Sequence, residues 1–311
     1  NTEGVSNTLS LATSYTDIVG NVGPAVSTLT YEVDTLAPSV NSFGLSDTAL
    51  KIGDNATVTL EFSEVVVGFS SAADITNPNG SLESMSSSDN ITWTGTFTPA
   101  TDTEVASNNF SLGSSSYTDL AGNAGPSATT ENYEIETLVP SVSSIVISSA
   151  TGIQNNFLNA GDEVSVTATF SESVIVDNSS GTPTLTVVVG STNRTATYTS
   201  GSGATMVFQY TIQAGETDDD GISIGANALA LNNGTIRDTA GNYATNLNHS
   251  AVSDNSIFMV DTTPPTVNSV VITSAVGIQN SFLNANDVVS VTATFSERVI
   301  VVSGTPTLTL V

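Results

Sequence analysis

The chain has 311 residues, enough for two or three domains of ordinary size, and an apolar fraction of 39% that fills several small cores rather than one large one. Its formal charge is -26, from four Lys plus Arg against thirty Asp plus Glu, so a polyanion is repelled and nucleic-acid binding is excluded. Cysteine is absent, which removes disulfides, thiol nucleophiles and thiolate metal sites together.

Charged residues make up only 11% of the chain and form no like-charge blocks, so this is not an acidic disordered tail. No apolar run approaches the roughly 20 residues needed to cross a bilayer, and no basic stretch precedes an apolar one at the N-terminus. The segment is therefore expected to make no membrane contact, with any export signal or anchor outside it.

Three phrases recur in a fixed order along the chain. Residues 1–33 match the close of a repeat: Glu3 to Leu11 is similar to Glu104 to Leu112, and Asp17 to Asn21 spells Asp-x-x-Gly-Asn. Residues 34–135 form a complete repeat. It opens on Asp34-Thr35-Leu36-Ala37-Pro38 and continues with a strand from Asp54 to Phe62-Ser63-Glu64, in which Val58, Leu60 and Phe62 alternate with polar residues. Strands are predicted at 90–98 and 130–135, with Asp119 to Asn123 between them.

Residues 136–260 form a longer complete repeat. Glu136-Thr137-Leu138-Val139-Pro140 opens it, and Asp162 leads into Val164, Val166, Ala168 and Phe170-Ser171-Glu172. Further strands are predicted at 184–189, 194–199, 205–212 and 256–260, with Asp238 to Asn242 as the turn. Residues 261–311 begin another repeat with Asp261-Thr262-Thr263-Pro264-Pro265 and run from Asp287 to Phe295-Ser296-Glu297. Residues 278–300 nearly copy 153–175, which points to duplication and a longer array.

No helical period is visible. About seven short strands per 100 residues, with turn signals every 8 to 12, predict an all-β fold of tandem immunoglobulin-like β-sandwich domains in an extended array. The Cys and Trp signature of antibody domains is missing.

The phrases Asp-Thr-Thr-Pro-Pro, Phe-Ser-Glu and Asp-Thr-Ala-Gly-Asn together resemble the bacterial Ig-like repeats of large surface adhesins and related cell-surface proteins. The resemblance implies an exported, rod-like, extracellular protein of the cell surface, with calcium near its domain junctions and its ligand specificity in other modules. Glu136 departs from the Asp of the other openings, so a calcium site there is expected to be weaker or differently shaped.

Topology places the acidic landmarks. If the alternating strand is the second of the sandwich, the Glu after it and the Asp-x-x-Gly-Asn loop share the pole where the chain enters the domain. Asp34, Glu64 and Asp119 then converge, as do Glu136, Glu172 and Asp238, while Asp261 and Glu297 begin a third set. The facing domain is expected to contribute Asp54, Asp162 or Asp287, with Asp102 and Glu104, or Asp218, Asp219 and Asp220, nearby. Carboxylates gathered so closely repel unless a hard cation sits among them, and calcium takes six to eight oxygen ligands. The alternative is that they are ordinary turn residues and solvated charges.

Glu216 to Gly221 spells Glu-Thr-Asp-Asp-Asp-Gly, like the first half of an EF-hand loop. Asn227 stands where the closing Glu belongs, which leaves at most a simpler calcium loop. Eight Asn-x-Ser/Thr sequons match chance for so Asn-, Ser- and Thr-rich a chain. His249 lies in a polar loop and Trp93 alternates with core positions. Without a nucleophile elbow, phosphate loop or His cluster, the chain is not expected to be an enzyme.

Three functions follow as expectations. The first is a structural stalk or adhesin segment of a long surface protein, stiffened by calcium, whose partners are the neighbouring repeats of the same chain. The alternatives are a self-assembling subunit of an S-layer, sheath or filament that contacts other copies of itself, and a glycan- or protein-binding module. The last is disfavoured by an aromatic content of only 6%.

Overall fold

The structure is a computed structural model and describes residues 5–309; Glu3, part of the repeat-closing phrase, lies outside the described residues. The chain divides into two compact units. One comprises the described residues up to Ser141 with Glu172–Val176 and Thr235–Asn246; the other comprises Val142–Ser171, Asp177–Gly234 and the described residues from Leu247 on.

In the first unit the alternation around Val58 becomes the strand Ala56–Phe62, whose every second residue is buried. It lies between Val40–Leu45 and Thr92–Pro99 in an antiparallel sheet completed by Gly80–Leu82. The opposing layer pairs Glu104–Asn108 with Tyr133–Glu136, which runs parallel to Ala49–Lys51. Ser111–Leu112, with Ile75–Thr76 and Ala128–Thr129 at its sides, extends this layer.

The two layers meet through aromatic rings, as large planar side chains fill the space between sheets in edge-to-face contact. Phe97 of one layer stands edge-on to Phe110 at 5.0 Å and to Tyr133 at 5.6 Å. Among the described residues the one departure from the all-β expectation is the four-residue helix Ser71–Asp74, a single turn closed by the Asp74 amide on the Ser70 carbonyl.

The second unit carries a six-stranded sheet in the order Val142–Thr151, Glu163–Phe170, Thr205–Thr211, Thr192–Ser202, Thr184–Val189 and Leu229–Ala230. Within it Thr184–Val189 and Thr192–Ser202 pair as a hairpin. A second sheet joins Phe157–Leu158, Met259–Asp261 and Thr217–Asp218. Val164, Val166, Phe208, Leu185, Leu158 and Val260 are all buried.

Residues 267–295 form a hairpin, Val267–Val276 with Val288–Phe295, whose register and two bulges repeat those of Val142–Thr151 with Glu163–Phe170. Its apolar face is open: Ile272 is 69% exposed, whereas its counterpart Ile147 is 8% exposed.

Candidate metal centre

Each landmark phrase builds its own piece of a small acidic site. In the opening phrase the acid accepts the amide two residues on, which fixes its carboxyl group: Leu36 N donates to Asp34 Oδ1 at 3.0 Å, Leu138 N to Glu136 Oε1 at 2.9 Å, and Thr263 N to Asp261 Oδ1 at 2.9 Å. In the Asp-x-x-Gly-Asn loops the Asp accepts both main-chain and side-chain donors of the closing Asn. Asn123 N and Nδ2 reach the Asp119 carboxylate at 2.9 and 2.7 Å, and Asn242 N and Nδ2 reach Asp238 at 2.8 Å each. Glycine is required before that Asn because the turn needs positive φ, 94° at Gly122 and 102° at Gly241.

The loop is then tied back to the opening phrase. Asn123 Nδ2 donates to the Asp34 carbonyl at 3.3 Å, and Asn242 Nδ2 to the Glu136 carbonyl at 2.8 Å. The glutamate after the alternating strand completes each set. Asp34, Glu64 and Asp119 each place a carboxylate oxygen within 4.8 Å of the others, and so do Glu136, Glu172 and Asp238. All six belong to the first unit, the second triad through its returning segments 172–176 and 235–246.

Burial and like charge act on the second triad. Burial, then the neighbouring charges of Asp238, Glu136 and Glu104, push the Glu172 carboxyl up to about 7, and its Oε1 is buried without a hydrogen-bond partner. Glu136 is also raised, by burial first and by Glu104, Asp238 and Glu134, against the opposing pull of the Leu138 amide. In the first triad burial works against the charge on Asp119, but the Asn123 donors and the Gly122 amide outweigh it and hold the carboxyl below its ordinary range. A cavity of about 330 Å³ beside the second triad is lined by Glu104, Glu134 and Glu136 with Leu50 and Ala240. Glu134 is the residue that sequence reading passed over. It stands two positions before Glu136 on the same strand, hence on the same face.

Such a set fits a hard divalent cation. The oxygens are close enough to share one ion, and an orphaned buried carboxylate oxygen has no partner in the protein.

The other candidate ligands make hydrogen bonds of their own. Asp54, Asp162 and Asp287 each close a turn on the amide three residues earlier, from Lys51 at 3.1 Å, Asn159 at 2.7 Å and Asn284 at 2.5 Å. Among the described residues none of the three joins a triad. Asp261 and Glu297, two members of the expected third set, are in no group of three among the described residues. Asp218 is buried, and its two oxygens accept the amides of Gly190 and Gly221, each at 2.7 Å, so it anchors the loop that sequence reading offered as a calcium loop. Burial raises its carboxyl, and exposed Asp220 beside it raises it further. Glu216, also buried, pairs with Arg194 and accepts the Tyr210 hydroxyl at 2.5 Å.

His249 and Trp93 have structural surroundings. The Ala228 amide donates to His249 Nε2 at 2.7 Å, and the Trp93 ring stands edge-on to Phe69 at 4.9 Å.

Residues 34–135 match the family model of the bacterial Ig-like domain. No curated protein matches the chain. Among solved structures the chain is similar to the I9–I11 tandem of titin, at 6% identity and a TM-score of 0.30, over 75% of this chain and 68% of that one. It is also similar to FdeC, described as a broadly conserved Escherichia coli adhesin, at 11% identity and a TM-score of 0.29, over 84% and 85%.

Proposed function

We propose that this chain, whose residues 34–135 match the bacterial Ig-like domain, is a structural stalk or adhesin segment of an extracellular surface protein in which calcium stiffens the joints between successive repeats. One observation carries the reading: the same three sequence phrases gather three carboxylates at the N-terminal pole of two consecutive repeats, with oxygens within 4.8 Å in both. Turn chemistry alone explains each Asp-x-x-Gly-Asn loop. It does not explain why Glu64 and Glu172, from the end of another strand, come to the same spot.

In this reading Asp34, Glu64 and Asp119 hold one ion, and Glu136, Glu172 and Asp238 hold another. The cation supplies charge neutralisation and a multidentate cross-link between the opening segment, the second strand and the loop. That is a mechanical task, and the partners it involves are the neighbouring repeats. No helix of the described residues is long and apolar enough to cross a membrane.

The test is calorimetric melting and small-angle scattering of the 311-residue chain in calcium and in chelator. At a calcium concentration one hundredfold above Kd, mass action adds about 2.7 kcal/mol. For domains of this size that raises Tm by roughly 10 °C or more, and the maximum dimension should rise with it. Identical melting and identical scattering in chelator would remove the calcium joints from the account.

A further inference from the structure

Asn242 makes a contact that its counterpart Asn123 does not share. Beyond its bonds to Asp238 and to the Glu136 carbonyl, its Oδ1 accepts the main-chain amide of Ile52 at 3.0 Å, across 190 positions of sequence. Ile52 follows the strand Ala49–Lys51 at the far end of the 34–135 domain, whereas Asn242 closes the loop of the next repeat. The Asn123 side chain is bonded to Asp119 and to the carbonyls of Asp34 and Leu36, all within its own repeat.

Surroundings support the contact. Asn242 is buried, while Asn123 is only part-buried. Gly241 sits against the aliphatic stem of Lys51, the only lysine of the chain, where an added Cβ would lie 3.8 Å from Cδ. Lys51 is in turn paired in parallel register with Glu136, the residue whose carbonyl Asn242 holds. One amide side chain therefore connects three points: the far end of one repeat, the opening phrase of the next, and the loop that closes the triad. Each bond runs between groups that carry no net charge, apart from the one to Asp238. Neutralising the triad leaves them in place.

We infer that Asn242 is a positioning residue that ties the Ile52 turn of the 34–135 domain to the Asp238–Asn242 loop, a local tie that forms with or without a cation. The partner surface it recognises is the turn at Ile52 of the preceding repeat. The inference deepens the stalk reading by naming what sets one joint, and its test is run in chelator, where the calcium reading makes no claim.

The measurement is amide hydrogen exchange of the full 311-residue chain in chelator, comparing wild type with Asn242→Ala and Asn123→Ala. Both substitutions remove an Asn that ties a loop to an opening phrase, but only the first removes the acceptor for Ile52. Ile52 exchange should accelerate at least tenfold in Asn242→Ala and stay unchanged in Asn123→Ala. Exchange at Val58 and Leu60, buried in the core of the same domain, should be unaltered in both and so report that the domain is folded. Should Asn242→Ala unfold its loop, Asn242→Gln supplies the second variant, since it keeps a neutral amide with an acceptor for Ile52 and donors for the loop; Ile52 exchange should then be slower than in Asn242→Ala. Unchanged Ile52 exchange in Asn242→Ala, or equal acceleration in both alanine variants, overturns the inference whatever the calcium titration shows.

Discussion

Asp34, Glu64 and Asp119 answer to the same three phrases as Glu136, Glu172 and Asp238, yet Asp119 in one set and Glu172 in the other are moved in opposite directions by their surroundings. In the first, hydrogen bonds from Asn123 keep Asp119 below its usual range. In the second, Glu172 is forced up to about 7, and Glu104 and Glu134 add charge from outside the phrases. The motif fixes where the carboxylates meet. What surrounds them decides how much repulsion a cation, or a proton, must relieve.

Four measurements can break or sharpen that contrast. The largest effect belongs to the residue both sets share. Asp119→Ala and Asp238→Ala each remove a buried carboxylate that accepts the donors of Asn123 or Asn242, and should cost about 2–4 kcal/mol in denaturant unfolding with chelator present. A gap between the two variants much wider than about 1 kcal/mol would show that the loops are not equivalent.

Glu172→Gln comes next and should change sign with conditions. In chelator it relieves repulsion and should stabilise by about 1 kcal/mol, a figure reduced for solvent screening because the residue is only part-buried. In saturating calcium it removes a ligand and should destabilise. A gain that persists unchanged in saturating calcium would remove Glu172 from the ligand set.

A pH series in chelator follows from the same shift. A carboxyl raised from 4.5 to about 7 binds more protons folded than unfolded between those values, so stability falls as pH rises through that window. The loss should be about 1 kcal/mol between pH 4.5 and 7.5, after the same discount, and Glu172→Gln should flatten it. Smallest is Glu104→Gln, which should raise stability in chelator by a few tenths of a kcal/mol and leave a pH slope shallower than wild type.

Much of this was legible in the residues. Strict alternation marked Ala56–Phe62 and Glu163–Phe170, since one face of each is buried and the other is not. The triads could be located because strand order dictates which ends of the sandwich meet. The roles of Asp54, Asp162 and Asp218 were not legible, because an Asp beside a turn has the same letters whether it caps an amide or faces a cation. Glu134 escaped notice for another reason: its effect on Glu136 passes through space and depends on burial that no local pattern records. The tie from Asn242 to Ile52 joins positions too far apart for any spacing rule.

The hairpin of residues 267–295 has a consequence for how the chain finds its fold. Its second strand, Val288–Phe295, has nearly the sequence and the pairing register of Glu163–Phe170, which forms the native neighbour of Thr205–Thr211. During folding, Thr205–Thr211 therefore meets two nearly interchangeable strands, one upstream and one downstream. The downstream loop is roughly twice as long, which by closure entropy disfavours it by only about 0.6 kcal/mol. Near-identity between adjacent repeats thus makes strand exchange a standing competitor of correct pairing. The sequence differences that remain, such as Glu163 against Val288 opposite Thr211, are what guards each repeat's identity.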